Sequence, residues 1–364
     1  MTVVGEMHED HGATFVERGG RRLVGHYGRP ERAGRAVRNG VGAIEMGYGV
    51  VVVEGDDRVE FVDNTVSNRV PTADGQGRYA LLLDPQGRIE TDMYVYNAGE
   101  RLLLFTPPDR AGPLVDDWQE KTFIQDVDLR EASAEFGVFG VHGAMATEKV
   151  ASVLTGASAP EGHLTFDRGS MGDAGVTVVA SDAPLGEEGY EVICAAEQAD
   201  EVFETLLTRG LNAAPFGYET FETLALEAGT PLFEPELEGR VPNVLGLTNA
   251  VAFDKGCFVG QELVSKVENR GQPSQRLVGL VPAERPAAGA TVAVGGDAGE
   301  TVGEITRAVE SPTRGEPLAL ALLDYDCEAT ELTVRVDGEE VPAVRADLPF
   351  VEGSDRSARL PAYE

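Results

Sequence analysis

Cysteine and histidine are scarce in this chain of 364 residues. The three cysteines, Cys194, Cys257 and Cys327, stand far apart, and no two of them form a Cys-x-x-Cys pair. This spacing excludes a disulfide framework, and it excludes an iron–sulfur cluster held by four thiolates of this chain alone. The five histidines form no His-x-x-x-His pattern, so the sequence predicts no metal site.

Positive charge is also scarce, because 30 lysines and arginines face 62 acidic residues, for a net charge of −32. The acidic residues are spread along the chain rather than gathered in a tail. High salt screens the repulsion among dispersed acidic side chains, so we expect a halophilic source. The alternative is an ordinary acidic protein. A nonspecific nucleic-acid binder needs a basic face and is not expected. The lysines are Lys121, Lys149, Lys255 and Lys266.

Long apolar runs are missing, since no stretch approaches the roughly 20 residues that span a bilayer. The segment containing Glu6, Glu9 and Asp10 lacks the basic and then apolar pattern of a secretion signal. We therefore expect a cytoplasmic protein without a membrane partner, and we take a monomer as the default. The glycine-rich segment 39–42 has the wrong spacing for a dinucleotide or phosphate loop, which disfavours nucleotide chemistry.

The hydrophobic pattern changes near residue 273. Before it, strand-like and helix-like segments alternate with short turns, which favours an α+β fold. After it, short β-rich runs separated by Gly, Pro and Asp predict a small antiparallel barrel or sandwich. We therefore predict one region over 1–272 and a C-terminal β domain over 273–364. The polar tail after Phe350 is expected to be loose.

Local patterns predict individual elements in the first region. Tyr79–Leu83 and Ile89–Tyr96 are predicted as strands joined by a turn at 84–87, where the sequence is Asp-Pro-Gln-Gly. Pro107–Trp118 is predicted as a helix with two prolines near its start. Tyr190–Cys194 is predicted as a strand.

One short motif carries the strongest chemical signal. Residues 255–262 are Lys-Gly-Cys-Phe-Val-Gly-Gln-Glu, which place a single thiol between two glycines. The nearby cation Lys255 and the start of a following helix would favour the thiolate form of Cys257. The glycines allow tight turns and close backbone approach. The pattern indicates an exposed, reactive thiol; the alternative is a buried structural cysteine, which is the commoner situation for a free cysteine.

This motif resembles the signature of the YgfZ family of folate-binding proteins, in the superfamily of the glycine cleavage T-protein, an aminomethyltransferase. The segments 186–191, 226–229 and 302–306 are also similar to the superfamily, so the resemblance covers nearly the whole chain. It implies a GcvT/YgfZ-like folate-binding fold with a C-terminal antiparallel β-barrel. It also implies tetrahydrofolate or another reduced folate as ligand, and iron–sulfur proteins as partners in their maturation or repair.

The resemblance assigns roles to individual residues. Glu191 matches the glutamate that accepts hydrogen bonds from the pterin edge, and the alternative is an acidic residue at a strand end. Asp92 matches the catalytic aspartate near the one-carbon position of the folate. Tyr79 matches a tyrosine that lines the folate pocket, and the alternative is an aromatic residue that packs the strand. Cys257 is the expected reactive group, with Lys255 as a neighbouring cofactor-binding residue.

Four positions depart from the T-protein pattern, which has an acid, an asparagine, a tyrosine and an arginine there. These losses leave folate binding as the expectation and disfavour ordinary aminomethyl transfer. Our first hypothesis is a tetrahydrofolate-binding accessory protein for iron–sulfur enzymes. A folate-dependent aminomethyltransferase or demethylase is the second, and a noncatalytic folate-binding scaffold is the third, so enzymatic activity stays open. At these four positions, Thr91 replaces the acid, Thr106 the asparagine, Pro184 the tyrosine and Ala225 the arginine.

Overall fold

A computed structural model describes residues 2–295 and 299–363, except for the side chains at positions 263 and 268–270. Within these ranges short helices alternate with strands, and the last six strands follow one another without an intervening helix. The helices are α1 (Gly5–Asp10), α2 (Pro30–Asn39), α3 (Arg58–Thr65), α4 (Ala111–Gln119), α5 (Ala146–Val153), α6 (Ala199–Thr208), α7 (Tyr218–Glu227) and α8 (Gln261–Arg270). The strands are β1 (Thr14–Arg18), β2 (Arg21–His26), β3 (Gly42–Glu45), β4 (Gly49–Glu54), β5 (Gln76–Leu83), β6 (Ile89–Asn97), β7 (Arg101–Thr106), β8 (Asp128–Glu131), β9 (Phe136–His142), β10 (Phe166–Met171), β11 (Ala174–Ala180), β12 (Gly189–Ala195), β13 (Ala214–Pro215), β14 (Gln275–Pro282), β15 (Thr291–Val294), β16 (Glu300–Glu310), β17 (Pro317–Asp324), β18 (Glu331–Val336) and β19 (Glu339–Ala346).

A five-stranded sheet with the order β5-β6-β7-β4-β8 forms one wall of the central core. The predicted hairpin is confirmed as β5 and β6, with Leu81 opposite Asp92. In its turn, two backbone amides donate to Asp84 Oδ1, each at 2.8 Å, and Gly87 has a φ of 71°. These residues reverse the direction of the chain, because an aspartate side chain can accept hydrogen bonds from backbone amides in a turn and glycine adopts positive φ without strain.

A six-stranded sheet with the order β10-β11-β12-β9-β3-β13 forms the opposite wall. β3 pairs with β9, whereas the next strand, β4, lies between β7 and β8 of the other sheet, so the two sheets interlock. Side chains alternate along β12. Ile193 packs in the central core, while Val192 and Cys194 pack in a second core with α5 and α6. Glu191 has the same parity as Ile193 and therefore faces the central core.

The C-terminal strands close into a six-stranded antiparallel barrel with the order β14-β17-β16-β15-β18-β19. Of the two predicted architectures, the barrel is therefore confirmed. Its interior is filled by side chains such as Leu280, Val292 and Ala321. The boundary predicted after residue 272 lies in the segment between α8 and β14, and it stays a prediction.

The central core joins both sheets to the barrel. Its buried side chains include Val52 from the five-stranded sheet, Ile193 from the six-stranded sheet and Leu320 from the barrel. Tyr96 lies in the same core, and its ring occupies the space beside Gly77, where a Cβ would lie 2.4 Å from the ring. A glycine is thus required on β5 so that an aromatic side chain of β6 can lie across it.

The C-terminal tail is packed against the molecule, so the expectation of a loose tail is wrong. Ser354, Ser357 and Arg359 are buried. The backbone amide of Ala358 donates to Asp182 O at 3.0 Å, and other tail amides bond to residues 186 and 246. Polar composition does not prevent this packing, because loop carbonyls accept the hydrogen bonds of the tail backbone.

The structure also shortens one predicted helix. Helix α4 begins at Ala111 rather than at Pro107. The two prolines at 107–108 lie in a turn, in which the amide of Arg110 donates to Pro107 O at 3.1 Å. In the described part of the chain, no helix has the length and apolar character needed to cross a membrane.

Candidate functional site

A pocket of about 150 Å³ lies between the five-stranded sheet, α7 and the C-terminal tail. Asp92 from β6 and Arg359 from the tail line it, together with three further charged residues, Arg18, Glu222 and Glu234. A concave site with many aromatic rings and few polar groups is typical of a binding site for a flat small molecule. The aromatic residues that line it are Tyr48, Tyr94, Phe105, Tyr218, Phe221 and Phe233.

Asp92 is held in place at the pocket by β6 and by a tyrosine of β5. The side chains of Asp92, Tyr94 and Tyr96 share one face of β6 because successive residues of a strand alternate. Tyr79 Oη donates a hydrogen bond to Asp92 Oδ2 at 2.8 Å. Burial raises the pKa of Asp92, while the Arg359 guanidinium and the bond from Tyr79 oppose this rise. The carboxylate is therefore desolvated, oriented and close to a cation.

Tyr79 supports the pocket without being one of its lining residues. Its ring is buried, and its centroid lies 5.3 Å from that of Tyr94. Its hydroxyl is used on Asp92. The ring therefore packs against the strand, as one alternative expected. The hydroxyl also orients Asp92 of the site, which is close to the other alternative, a tyrosine of the folate pocket.

Glu191 reaches the central core from β12 of the other sheet. Tyr48 Oη donates to its Oε1 at 2.5 Å. The other oxygen, Oε2, is buried and has no hydrogen-bond donor among the described residues, although the Tyr96 hydroxyl lies close to the carboxylate. Burial raises the pKa of Glu191 to about 7, and the negative charge of Asp182 adds to this rise. Glu191 is not one of the described residues that line the pocket, but Tyr48 is, so this buried acceptor lies behind the pocket wall.

Arg359 is a residue of the site that no sequence motif pointed to. Its side chain is buried, and its Nε lies 2.9 Å from Asp182 Oδ2, an ion pair without hydrogen-bond alignment. Its guanidinium carbon lies 5.1 Å from the ring centroid of Tyr79 and 6.0 Å from that of Tyr94. Tyr94 Oη in turn donates to Asp182 Oδ1 at 2.9 Å. One cation therefore links both tyrosines with a buried carboxylate beside the pocket.

Comparison with known proteins agrees with this architecture. Residues 4–255 match the GCVT N-terminal domain, and residues 275–352 match the glycine cleavage T-protein C-terminal barrel domain. The chain belongs to the glycine cleavage T-protein family. The two matches together account for both interlocked sheets and for the barrel.

Relatives within this family span almost the whole chain. A probable aminomethyltransferase of Halobacterium salinarum is 29% identical over 360 residues, which cover 95% of this chain and 97% of that protein. An aminomethyltransferase of Corynebacterium aurimucosum is 30% identical, with coverage of 94% and 95%. The crystal structure of glycine cleavage system aminomethyltransferase T from Bartonella henselae superposes with a TM-score of 0.85, at 23% identity and coverage of 96% and 98%. At that identity, the structural likeness shows the shared fold.

Lys255 does not reach the pocket of this T-protein family member. Its buried Nζ donates to the backbone carbonyls of Asp63, Val66 and Asn68, at 2.9 Å and 2.8 Å for the last two. Burial lowers the pKa of Lys255, and Asp63 opposes this effect. The ammonium group therefore joins the segment after α3 to the segment before α8. The expected role of Lys255 in cofactor binding stays a prediction.

Cys257 is exposed, and it is not one of the described residues that line the pocket. The helix expected to favour its thiolate form, α8, begins only at Gln261, and the ammonium group of Lys255 is used elsewhere. Gly260 has a φ of 78°, and a Cβ there would lie 2.6 Å from Asp84 O. The glycine is required because this turn packs against the β5–β6 hairpin. The motif is thus a tightly packed turn that leaves its thiol in solvent.

Of the four departures from the T-protein pattern, only Thr106 is among the described residues that line the pocket, and Thr91 is buried with its hydroxyl donating to Asp92 O at 3.1 Å. Ala225 is buried on α7 in the central core, and Pro184 lies in the loop that follows Asp182. Thr106 lines the pocket, and its hydroxyl donates to Pro107 O at 2.9 Å. A positive charge is nevertheless present in the site, because Arg359 enters it from the C-terminal tail.

The arrangement fits a flat ligand with hydrogen-bond donors on one edge. Glu191 Oε2 is a buried acceptor without a protein partner, and aromatic rings offer stacking surfaces. Asp92 supplies a carboxylate that can orient an amine or accept a proton. The pocket is smaller than the roughly 300–1,000 Å³ of common small-molecule sites, so a larger ligand extends beyond it. Among the described residues, no group of three or more His, Cys, Asp and Glu side chains is placed to hold a metal ion.

Proposed function

We propose that this protein binds a reduced folate and transfers a one-carbon unit to it, as a folate-dependent aminomethyltransferase. The observation that carries this proposal is the buried Oε2 of Glu191, which has no hydrogen-bond partner in a carboxylate bonded to Tyr48, a residue of the aromatic pocket that contains Asp92. Membership of the glycine cleavage T-protein family supports it. So do the relatives named aminomethyltransferase, which align over nearly the full length of the chain.

The residues divide between binding and reaction. Glu191 accepts hydrogen bonds from the donor edge of a pterin, and the tyrosines of the pocket stack on flat rings. When bound, tetrahydrofolate supplies the nitrogen atoms that accept a one-carbon unit. Asp92, fixed by the Tyr79 hydroxyl, orients an amine or takes up a proton at its free oxygen. Arg359 limits the burial-driven rise in the pKa of Asp92.

Glu191→Gln is expected to weaken tetrahydrofolate binding by about 1–3 kcal/mol, because a neutral amide presents fewer acceptors to buried donors. The wild-type affinity should also fall as the pH drops below about 7, the pKa to which burial raises Glu191, because the ligand prefers the ionised carboxylate. The variant should lose this pH dependence. Calorimetric titration with tetrahydrofolate between pH 5.5 and pH 8.5, at constant salt, measures both effects.

Glu204→Gln is the matched control for this experiment, because Glu204 is exposed on α6 and is not one of the residues that line the pocket. It should leave both the affinity and its pH dependence unchanged. Equal affinity in wild type and Glu191→Gln would remove Glu191 from the pterin site. If the wild type binds no reduced folate, the whole functional proposal fails.

A second candidate function rests on the exposed thiol. We infer a YgfZ-type accessory role in the maturation or repair of iron–sulfur enzymes, in which Cys257 is the reactive group. Its support is the Lys-Gly-Cys-Phe-x-Gly-Gln-Glu motif together with the solvent exposure of Cys257. Because the thiol lies outside the pocket lining, this role and one-carbon transfer can be separated by mutation.

Iodoacetamide is expected to label Cys257 much faster than Cys194 in the native protein near pH 7. Cys194 is buried on β12, and burial raises its pKa to about 12, so its thiolate is both rare and shielded. Mass spectrometry of timed samples gives the two rates. Cys257→Ala should fold with an unchanged melting temperature and bind tetrahydrofolate normally, yet lose the accessory role. Labelling of Cys257 no faster than Cys194 would end the reactive-thiol hypothesis.

A further inference from the structure

Glu191, the residue proposed to bind the pterin, is separated from the pocket by one side chain. Tyr48 is among the described residues that line the pocket, and Glu191 is not. Tyr48 Oη donates to Glu191 Oε1 at 2.5 Å, so the phenol group stands between the carboxylate and the pocket. The pocket, at about 150 Å³, is also smaller than the roughly 300–1,000 Å³ of common small-molecule sites. In this conformation, a ligand confined to the pocket does not reach Glu191.

Tyr48 lies in the connection 46–48 between β3 and β4, outside both strands. Two hydrogen bonds hold the backbone of this connection. Arg21 Nη1 donates to Tyr48 O at 2.6 Å, and the amide of Gly47 donates to Tyr218 Oη at 2.8 Å. Because the backbone is held, the phenol group can leave Glu191 by rotation of the Tyr48 side chain, without movement of the connection.

The ring of Tyr48 makes contacts that a flat ligand can replace. Tyr48 is partly exposed. Its ring stacks on Phe105 with the centroids 5.5 Å apart, and it meets Tyr94 edge-on at 6.0 Å. Both partners also line the pocket. A ligand ring that takes the place of the phenol would therefore find the same two aromatic surfaces, which offsets the contacts that Tyr48 loses.

Tyr96 is the other tyrosine whose hydroxyl lies close to the Glu191 carboxylate. Its side chain is only 2% exposed, and the ring lies across Gly77, where a Cβ would be 2.4 Å from it. On another side the ring meets Phe166 edge-on, with the centroids 6.0 Å apart. Tyr96 is thus enclosed by its neighbours, whereas the partly exposed Tyr48 can turn toward solvent.

We propose that Tyr48 is the gate of the folate site, because its side chain must rotate away from Glu191 before a pterin ring can reach the carboxylate. This inference rests on the proposed function, since it assumes that Glu191 binds the pterin. The closed gate gives the buried carboxylate a donor in the free protein. Opening it breaks that hydrogen bond, which lowers the apparent affinity for the ligand. In the open state, donors of the pterin edge replace the phenol, so the carboxylate is partnered in both states.

Tyr48→Phe tests the gate, because it keeps the ring and removes the hydroxyl that holds the gate closed. At pH 8.5 and constant salt, the variant should bind tetrahydrofolate about tenfold more tightly than the wild type, since no hydrogen bond to the carboxylate has to be broken. In the Glu191→Gln background, the gain from Tyr48→Phe should be less than about threefold, because the bond to a neutral amide is weaker. Calorimetric titration measures all four affinities.

The pH of this experiment matters because the Tyr48 hydroxyl also acts on the charge of Glu191. Burial raises the pKa of Glu191 to about 7, and the hydrogen bond from Tyr48 opposes this rise. Tyr48→Phe therefore raises this pKa further, so the variant takes up a proton, and loses affinity, at a higher pH than the wild type. The gain should shrink from pH 8.5 to pH 6.5. Asp182, Arg359 and Tyr96, which also act on this carboxylate, are unchanged in the variant.

Tyr27→Phe is the matched control, because the Tyr27 hydroxyl is bonded to His8 Nδ1 at 2.7 Å and Tyr27 is not one of the described residues that line the pocket. Its affinity should equal that of the wild type. Equal or weaker binding by Tyr48→Phe at pH 8.5 would overturn the gate and leave folate binding intact. A gain in Tyr96→Phe instead of Tyr48→Phe would also overturn it. If neither the wild type nor Tyr48→Phe binds tetrahydrofolate, the proposed function and the gate fail together.

Discussion

Replacing Arg359 with methionine is expected to lower the free energy of unfolding by about 3–5 kcal/mol at neutral pH, the usual cost of breaking a buried ion pair. The Arg359 side chain is buried, and its Nε lies 2.9 Å from Asp182 Oδ2. It also opposes the rise that burial causes in the pKa of Asp92. Without Arg359, the carboxylates of Asp182 and Asp92 stay buried with no cation beside them. Urea unfolding of both proteins at constant salt measures the difference.

Arg356→Met is the matched control, because Arg356 lies in the same tail segment and forms an exposed ion pair with Glu188 at 2.8 Å. Exposed pairs contribute about 0–1 kcal/mol, so this variant should unfold much like the wild type. Adding Asp182→Asn to Arg359→Met should recover part of the lost stability, since it removes one of the stranded carboxylates. Equal losses in the two single arginine variants would contradict the buried role of Arg359.

The stability loss in Arg359→Met should be smaller at acidic pH. Burial already raises the pKa of Asp92 in the folded protein, and the variant removes the cation that opposes this rise. A carboxyl group whose folded pKa lies above its unfolded value favours folding below the unfolded pKa and loses that contribution as the pH rises through the folded pKa. The difference between variant and wild type is therefore expected to grow from pH 5 to pH 8. A difference that is constant over this range would argue against the Asp92–Arg359 coupling.

Asp92→Asn is expected to slow folate-dependent one-carbon transfer by about 10²–10⁴-fold, the usual contribution of a positioned acid–base group. The amide can still accept the hydrogen bond from Tyr79 but can neither take up a proton nor carry a charge. Binding of tetrahydrofolate should change little, because the pterin edge is assigned to Glu191. Single-turnover measurements with an aminomethyl donor give the rate, and calorimetry gives the affinity.

Tyr79→Phe separates positioning from chemistry at this site. It removes only the hydroxyl that donates to Asp92 Oδ2 at 2.8 Å, so the rate should fall by about tenfold, in line with one lost hydrogen bond. A rate in Asp92→Asn that stays within threefold of the wild type would remove Asp92 from the reaction. Folate binding without any transfer activity in the wild type would instead favour the accessory role of Cys257 or the noncatalytic scaffold.

The sequence by itself determined the T-protein superfamily, several strands and the tight turn of the β5–β6 hairpin. The turn at 84–87 was predictable because Asp84 and Gly87 act on backbone atoms only a few residues away. The family resemblance assigned Asp92 and Glu191 to the folate site before the partners of either side chain were known. The domain matches confirm the T-protein resemblance. This resemblance could be recognised from the sequence because each motif that carries it is a short run of neighbouring residues.

Only the tertiary structure decided which distant groups meet. Lys255 is close to Cys257 in sequence, yet it binds carbonyls at 63–68, because a buried ammonium group must have acceptors and that loop provides them. Arg359 lies in a polar tail without periodicity, and it enters the pocket because buried Asp182 and Asp92 need a cation that neither sheet supplies. Both placements depend on contacts between segments far apart in the chain, and local residue patterns carry no information about such contacts.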